Sequence, residues 1–184
     1  FGMAAVPFLP LPYVESWPYI FASVLLHLGY QLFLVKAYVY GDLGQVYPIA
    51  RGISPLLLGF ITVFWIGEEL TLQMMSAIVL ISLGIFSLMF PGKMSIKYRF
   101  RPIIYALATG SFIAAYTLAD GVGVRASGNA ASYVLWLMAL ECLPLLGITL
   151  ILRKRTVFSS IHKNWKYAVP GGFLSLSAYW IVIW

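Results

Sequence analysis

The sequence predicts an all-α integral membrane protein, a polytopic bundle of about six transmembrane helices. Composition is the first reason: 61% of the 184 residues are hydrophobic and 10% are charged, whereas soluble proteins are about 45–50% apolar and about 25% charged. The mean hydropathy of +0.90 agrees. The second reason is that the apolar residues form separate runs of roughly 17–25 residues, which as helices cross a ~30 Å hydrocarbon core. Such runs are too long for barrel strands, so their backbone groups are expected to bond within helices.

Six apolar runs account for most of the chain, and short connectors separate them. The spans are predicted at about residues 17–40, 46–67, 70–90, 102–119, 130–152 and 166–184. The first span is followed by "GDLG" and the third by "PGK". Turns are expected at both places, because glycine, proline and aspartate favour turns. Prolines and glycines, including Gly84 and Gly110, are expected to permit bending and close helix approach.

The positive charge is concentrated in two connectors. The formal net charge is +6, and nine of the twelve Lys and Arg lie in residues 91–101 and 153–166, which contain no acid. These connectors follow the third and the fifth span, so they lie on the same side of the membrane. An excess of Lys and Arg predicts that this side is cytoplasmic. Cations confined to connectors are a topology signal, and no nucleic-acid partner is predicted.

The chain reads as a fragment of a longer protein with an internal repeat. Residues 1–16 are expected to be the tail of a preceding helix and a Pro-rich loop, and the last span is expected to be truncated. Residues 17–35 and 165–183 align without gaps, with four identical pairs. Four crossings separate the first and sixth spans, so these spans run in opposite directions. An inverted-topology repeat of this kind is typical of transporters.

Residues 41–88, "GDLGQVYPIARGISPLLLGFITVFWIGEELTLQMMSAIVLISLGIFSL", carry a family resemblance. A small-residue turn, a proline-bearing helix, Gly67-Glu68 at its end and a helix closing on Gly84 resemble the EamA-type transporters of the drug/metabolite transporter superfamily. The stretch "YALATGSFIAAYTLADGVGVR", residues 105–125, looks like the opening helix of that family's second repeat. The resemblance indicates the family but not the solute.

The resemblance implies ten helices in two inverted five-helix repeats. Residues 17–90 would be the last three helices of the first repeat, 91–101 the basic connector, and 102–184 the first helices of the second repeat. Family members of this size usually keep both termini in the cytoplasm, which would place the two basic connectors outside. That orientation conflicts with the charge rule, and we retain the cytoplasmic assignment because the bias of nine cations is local and physical.

Polar residues recur on single helix faces and predict a solute site. Ser23, His27 and Gln31 are spaced by four residues on the first span, and Tyr47, Arg51 and Ser54 are spaced by four and three on the second. The fourth span carries Tyr105, Thr109, Tyr116 and Asp120 on one face. The predicted substrate-binding residues are Arg51, Tyr47, His27, Gln31, Ser54 and Tyr116. Arg51 would bind an anionic group, since a guanidinium suits a carboxylate.

Each of these residues also has a structural interpretation. Hydrogen bonds between helices explain a polar stripe, and the side chain of Arg51 can snorkel back to the headgroups because it lies near the end of its span. Glu141, midway along the fifth span, is the first candidate for proton coupling, because an ionised carboxylate there costs at least ~2.5 kcal/mol to insert. The alternative is a neutral, hydrogen-bonded acid. Asp120 is the second candidate, although its position at the end of the fourth span also suits an interfacial carboxylate.

The predicted function is secondary transport of a small organic metabolite or drug by alternating access in the plasma (inner) membrane of a bacterium. The energy would come from a proton gradient or from the solute's own gradient. The alternative is a non-transporting membrane scaffold or assembly partner. Nucleophile, zinc-protease and phosphate-loop motifs are absent from the sequence, so no enzymatic activity, catalytic residue or cofactor is predicted. No metal site is predicted either, because no second His or Cys stands at ligand spacing from His27. The expected partners are the solute and the lipid bilayer.

Overall fold

The computed structural model of the chain describes residues 10–67, 71–87, 100–153 and 156–183. These residues form helices and turns, and no strand occurs among them. The helices are α1 Trp17–Tyr40, α2 Leu43–Ile61, α3 Leu72–Ser87, α4 Phe100–Ala126, α5 Ala130–Arg153 and α6 Thr156–Ile183. A short 3-10 turn, Val14–Ser16, leads into α1, and a π-helical turn, Thr62–Ile66, continues α2.

Among the residues that the structure describes, four stretches are long and apolar enough to cross a membrane. They are Val14–Tyr40, Val46–Phe64, Phe100–Ala126 and Ala130–Leu152, which correspond to the first, second, fourth and fifth predicted spans. The apolar part of α3, Leu72–Gly84, is shorter, and α6 contains the described part of the sixth predicted span. The structure therefore confirms an all-helical chain with four helices of membrane-spanning character, while the third and sixth spans stay predictions.

The chain divides into two compact units. One unit contains the residues up to Leu28 and those from Ala119 onward, and the other is Gly29–Leu118. The first unit will be called the terminal unit and the second the central unit. Residues 1–9 and 91–99, on which the predicted tail and most of the predicted basic connector fall, lie outside the described residues.

The terminal unit is built on packing between α1 and α5. Its apolar core contains Ile20 and Val24 of α1 against Tyr133 and Leu137 of α5. The turn that joins α4 to α5 is short because Gly128 adopts a φ of 70°, which a glycine tolerates without steric strain. The backbone N–H of Ser132 donates to Oδ1 of Asn129 at 3.1 Å, so Asn129 caps the start of α5.

The central unit packs α1, α2 and α4 closely through small residues. Its buried cluster is Ala37, Val46, Ile49 and Ala106. Gly110 is needed for this approach, because a Cβ atom built on it would lie 2.7 Å from the carbonyl oxygen of Ala50. The prediction of close approach holds for Gly110, whereas an added Cβ at Gly84 meets nothing within 4 Å.

The prediction that the fourth span ends before Asp120 is wrong. Helix α4 continues to Ala126, so Asp120 lies inside the helix, and it is only 3% exposed. A charged residue lowers the hydropathy of an apolar run, so hydropathy alone predicts an end at the first carboxylate. A partner for that carboxylate inside the protein removes the reason for the helix to end there.

Candidate functional site

Helix α2 carries Arg51 on a stretch whose backbone bonding is altered by proline. Pro55 has no backbone N–H, so it cannot donate to the carbonyl oxygen of Arg51 four residues earlier. The hydroxyl of Ser54 donates to that oxygen instead, over 3.3 Å. Serine hydroxyls commonly satisfy carbonyls that proline frees in membrane helices. The structure thus gives Ser54 a backbone partner, and Ser54 is not among the residues that line the nearby cavity.

A cavity of about 70 Å³ lies beside Arg51 within the central unit. Residues of α1, α2 and α4 line it: Tyr30, Leu34, Tyr38, Tyr47, Ala50, Arg51, Thr109 and Ile113. Arg51 and Tyr47 are both exposed. The guanidinium carbon of Arg51 lies 5.5 Å from the centroid of the Tyr47 ring, within the range of a cation–π contact. Two predicted ligands, Arg51 and Tyr47, therefore share this cavity.

The lining of the cavity is rich in hydrogen-bond donors and carries one fixed positive charge. Three tyrosines contribute phenol groups, each able to donate one hydrogen bond. Thr109 already donates its hydroxyl hydrogen to the carbonyl oxygen of Tyr105 at 2.7 Å, so its oxygen remains as an acceptor. Within the part of the chain that the structure describes, no carboxylate forms an ion pair with Arg51. The charge of Arg51 is therefore not neutralised by a described side chain.

Two other predicted ligands lie in the central unit but outside the cavity lining. Tyr116 packs edge-on against Tyr30, with ring centroids 5.9 Å apart, so it supports one of the lining side chains. The Oε1 atom of Gln31 is buried and has no hydrogen-bond partner among the described residues. A buried acceptor without a partner costs about 1–3 kcal/mol. Neither Tyr116 nor Gln31 lines the cavity beside Arg51.

His27 lies in the terminal unit, where its partner is Glu141. Nε2 of His27 is 3.6 Å from Oε2 of Glu141. On the other side of the ring, Nδ1 lies 2.9 Å from the carbonyl oxygen and 3.1 Å from the hydroxyl of Ser23. Ser23 and His27 are buried, and the side chain of Glu141 is 23% exposed. The structure thus joins a predicted substrate ligand to the predicted proton-coupling residue, although 114 residues separate them in sequence.

Asp120 forms a second buried polar contact in the terminal unit. The hydroxyl of Tyr133 donates to Oδ1 of Asp120 over 2.9 Å, and the two residues are 3% and 0% exposed. Sequence reasoning did not single out Tyr133. The available signal was its spacing, because Tyr133, Leu137 and Glu141 follow one another every four residues and so lie on one helix face.

The described residues offer no ready metal site, since no three His, Cys, Asp or Glu side chains cluster among them. Comparison of the chain with protein-family models, with curated proteins and with solved structures gave no match. The resemblance to EamA-type transporters accordingly rests on the sequence motifs alone.

Proposed function

We propose that this chain is part of a secondary transporter that moves a small organic solute with an anionic group across a membrane by alternating access. In this proposal all six predicted runs span the membrane, as the resemblance to the EamA-type fold implies. The observation that supports it best is the cavity beside Arg51, where an unpaired cation and three tyrosines line one space. Binding an anion there compensates the charge of Arg51.

The chemistry of the cavity favours a carboxylate or a similar oxyanion. A guanidinium presents several N–H donors in a plane and can hold two oxygens at once. The tyrosine hydroxyls can donate further hydrogen bonds to the same group. Leu34, Ala50 and Ile113 supply apolar surface, which lowers the local dielectric constant and strengthens the attraction.

The size of the cavity restricts what enters it. Its volume is about 70 Å³. Sites for drug-sized ligands have volumes of roughly 300–1,000 Å³. The cavity therefore suits the anionic head of a solute rather than the whole molecule, and the remainder of the solute extends beyond these eight residues.

Exposed apolar side chains do not by themselves favour the scaffold alternative. Large hydrophobic residues are exposed on each of the six helices. The lipid-facing surface of any membrane protein is also apolar, so this exposure does not separate the two hypotheses. The contacts of the titratable residues His27, Glu141 and Asp120 favour the transporter over the scaffold. Such groups are costly in an apolar interior, and a purely structural bundle does not need them.

The test uses the full-length protein in proteoliposomes. The solute is first sought by comparing the small carboxylates in extracts of cells with and without the intact gene. For a solute found in this way, we expect Arg51→Lys to weaken apparent affinity by about 5- to 150-fold, or ~1–3 kcal/mol, because lysine keeps the charge but loses the planar fork. Lys166→Gln is the matched control, since Lys166 is an exposed cation of α6. If Arg51→Gln inserts normally and transports the solute with unchanged affinity, Arg51 is only an interfacial anchor.

Coupling to protons is the second part of the proposal, with Glu141 as the coupling residue and Asp120 as the other candidate. Proteoliposomes with opposite pH gradients measure it directly. We expect Glu141→Gln to abolish accumulation driven by the gradient while solute exchange at equal pH continues. Full accumulation by Glu141→Gln would remove Glu141 from the coupling mechanism.

A further inference from the structure

The ring of His27 is held in one orientation by its own helix. Nδ1 lies 2.9 Å from the carbonyl oxygen of Ser23, one turn earlier in α1. The carbonyl oxygen can only accept a hydrogen bond from Nδ1, whereas the Ser23 hydroxyl, 3.1 Å from the same nitrogen, could donate to it. We assign the hydrogen to Nδ1 because the contact with the carbonyl oxygen is the shorter of the two. A protonated Nδ1 leaves Nε2 as the nitrogen at which protonation changes, and Nε2 is the atom that faces Glu141 at 3.6 Å. The backbone of α1 therefore presents the titrating side of the ring to a carboxyl group.

The surroundings of this pair favour one shared proton. A neutral imidazole beside a neutral acid, and an imidazolium beside a carboxylate, both have zero net charge and differ only in the position of one proton. Removing that proton leaves a lone carboxylate, and adding a second leaves a lone imidazolium. Either lone charge is costly in an apolar interior, and the pair borders a core formed by Val24 and Leu137, each one turn from a member of the pair.

Other titratable groups of the terminal unit act in the same direction. Asp120, on α4, acts electrostatically on Glu141, and two carboxylates repel each other. The hydroxyl of Tyr133, on α5, donates to Oδ1 of Asp120. Where Asp120 is ionised, its repulsion disfavours removal of the proton from the His27–Glu141 pair, because removal leaves a second negative charge nearby.

We propose that His27 and Glu141 form a single site that binds one exchangeable proton between Nε2 and Oε2. Movement of the proton breaks the O–H bond of Glu141 and forms an N–H bond at Nε2, which turns the neutral pair into an ion pair and needs no other reactant. The distance of 3.6 Å exceeds the hydrogen-bond range of about 2.7–3.2 Å. A small approach of the two side chains is therefore required before the proton moves, and this approach is the step that a transport cycle would control. Only that last role rests on the proposed function.

The chain allows a direct test because it has two histidines, His27 and His162. The full-length protein carrying His162→Gln, with any histidine outside these 184 residues also replaced by Gln, is labelled with ¹⁵N-histidine and studied by NMR in lipid bilayers, so all imidazole signals come from His27. We expect the neutral ring to have its hydrogen on Nδ1, the tautomer that free histidine disfavours in water. We also expect the Nε2 signal and the infrared C=O band of the Glu141 acid to change at one common pH midpoint, since strongly coupled groups titrate together.

Variants separate the shared site from two independent groups. Glu141→Gln keeps the shape of the side chain but holds no exchangeable acid proton, and we expect it to change the proton affinity of His27 by about tenfold or more. Glu15→Gln is the control, because Glu15 is an exposed carboxylate of the same unit. His27→Gln provides a second variant, in which the midpoint of the Glu141 band should move by a similar factor. A neutral ring with its hydrogen on Nε2, or unchanged midpoints in both variants, would overturn the shared site. Neither readout needs a transported solute, so failure of the proposed function gives a different result.

Discussion

At the scale of single residues, Tyr133 is the buried side chain whose polar atom has the clearest partner. It is fully buried, and its hydroxyl donates to Asp120 at 2.9 Å. Gly123 makes room for it, because a Cβ atom at that position would collide with the phenol ring. The contact keeps a carboxyl group of α4 inside the protein, where it would otherwise lose the hydrogen bonds of water.

We expect Tyr133→Phe to lower the free energy of unfolding by about 1–3 kcal/mol, because the substitution removes one donor from a buried carboxyl group. Thermal unfolding of the purified protein in detergent measures the change. Tyr167→Phe is the matched control, since Tyr167 is 81% exposed on α6 and its loss should cost less than about 0.5 kcal/mol. Equal effects of the two substitutions would contradict a stabilising role for the hydrogen bond.

Residues differ in how far their roles could be predicted from sequence. The bond from Ser54 to the carbonyl oxygen of Arg51 lies next to Pro55 in the sequence. The local pattern therefore contained the signal, although the sequence analysis predicted Ser54 as a substrate ligand instead. The neighbours Arg51 and Tyr47 are likewise four residues apart. The pairing of His27 with Glu141 depends on which helices pack together, and no local pattern contains that information.

At the scale of elements, α2 shows how a proline is accommodated inside an apolar helix. Pro55 withholds a backbone donor from Arg51, and the hydroxyl of Ser54 supplies one. The serine is therefore useful because the proline is present. If position 55 had an N–H group, the ordinary helical bond to Arg51 would form and the hydroxyl would be redundant.

A double-mutant cycle tests this dependence. We expect Ser54→Ala to lower the free energy of unfolding by about 0.5–1.5 kcal/mol in the natural chain and by close to zero when Pro55→Ala is also present. Ser111→Ala is the control, since the hydroxyl of Ser111 donates to the Leu107 carbonyl at 3.0 Å in a helix that contains the ordinary donor. An equal cost of Ser54→Ala in both backgrounds would show that the two residues act independently.

Helix ends were less predictable than helix centres. Hydropathy placed the end of the fourth span at residue 119, yet α4 continues to Ala126. The local signal for its true end was the glycine at 128, which takes a positive φ, followed by Asn129 at the cap of α5. Hydropathy measures the length of an apolar run, whereas the backbone ends a helix where capping and turn residues permit it.

At the scale of the whole molecule, the distribution of charge predicts one of two possible orientations. Nine of the twelve cations lie in the two connectors at 91–101 and 153–166, and the charge rule places both in the cytoplasm. The orientation usual for EamA-type proteins would place them outside. Helix α4 is long and apolar enough to span a membrane, and if it spans, its two ends lie on opposite sides.

We expect the end of α4 that leads into α5 to face the outside of the cell. Cys142 is the single cysteine of these 184 residues. Cys142→Ala, with any further cysteine of the full-length protein also replaced, gives a cysteine-free background for Ala130→Cys or Ser95→Cys. A membrane-impermeant maleimide should label position 130 in intact cells and position 95 only after permeabilisation, because the basic connector that contains residue 95 is retained in the cytoplasm by its Lys and Arg. The reverse pattern would establish the orientation that the family resemblance implies. It would also show that the nine connector cations do not determine how the protein inserts.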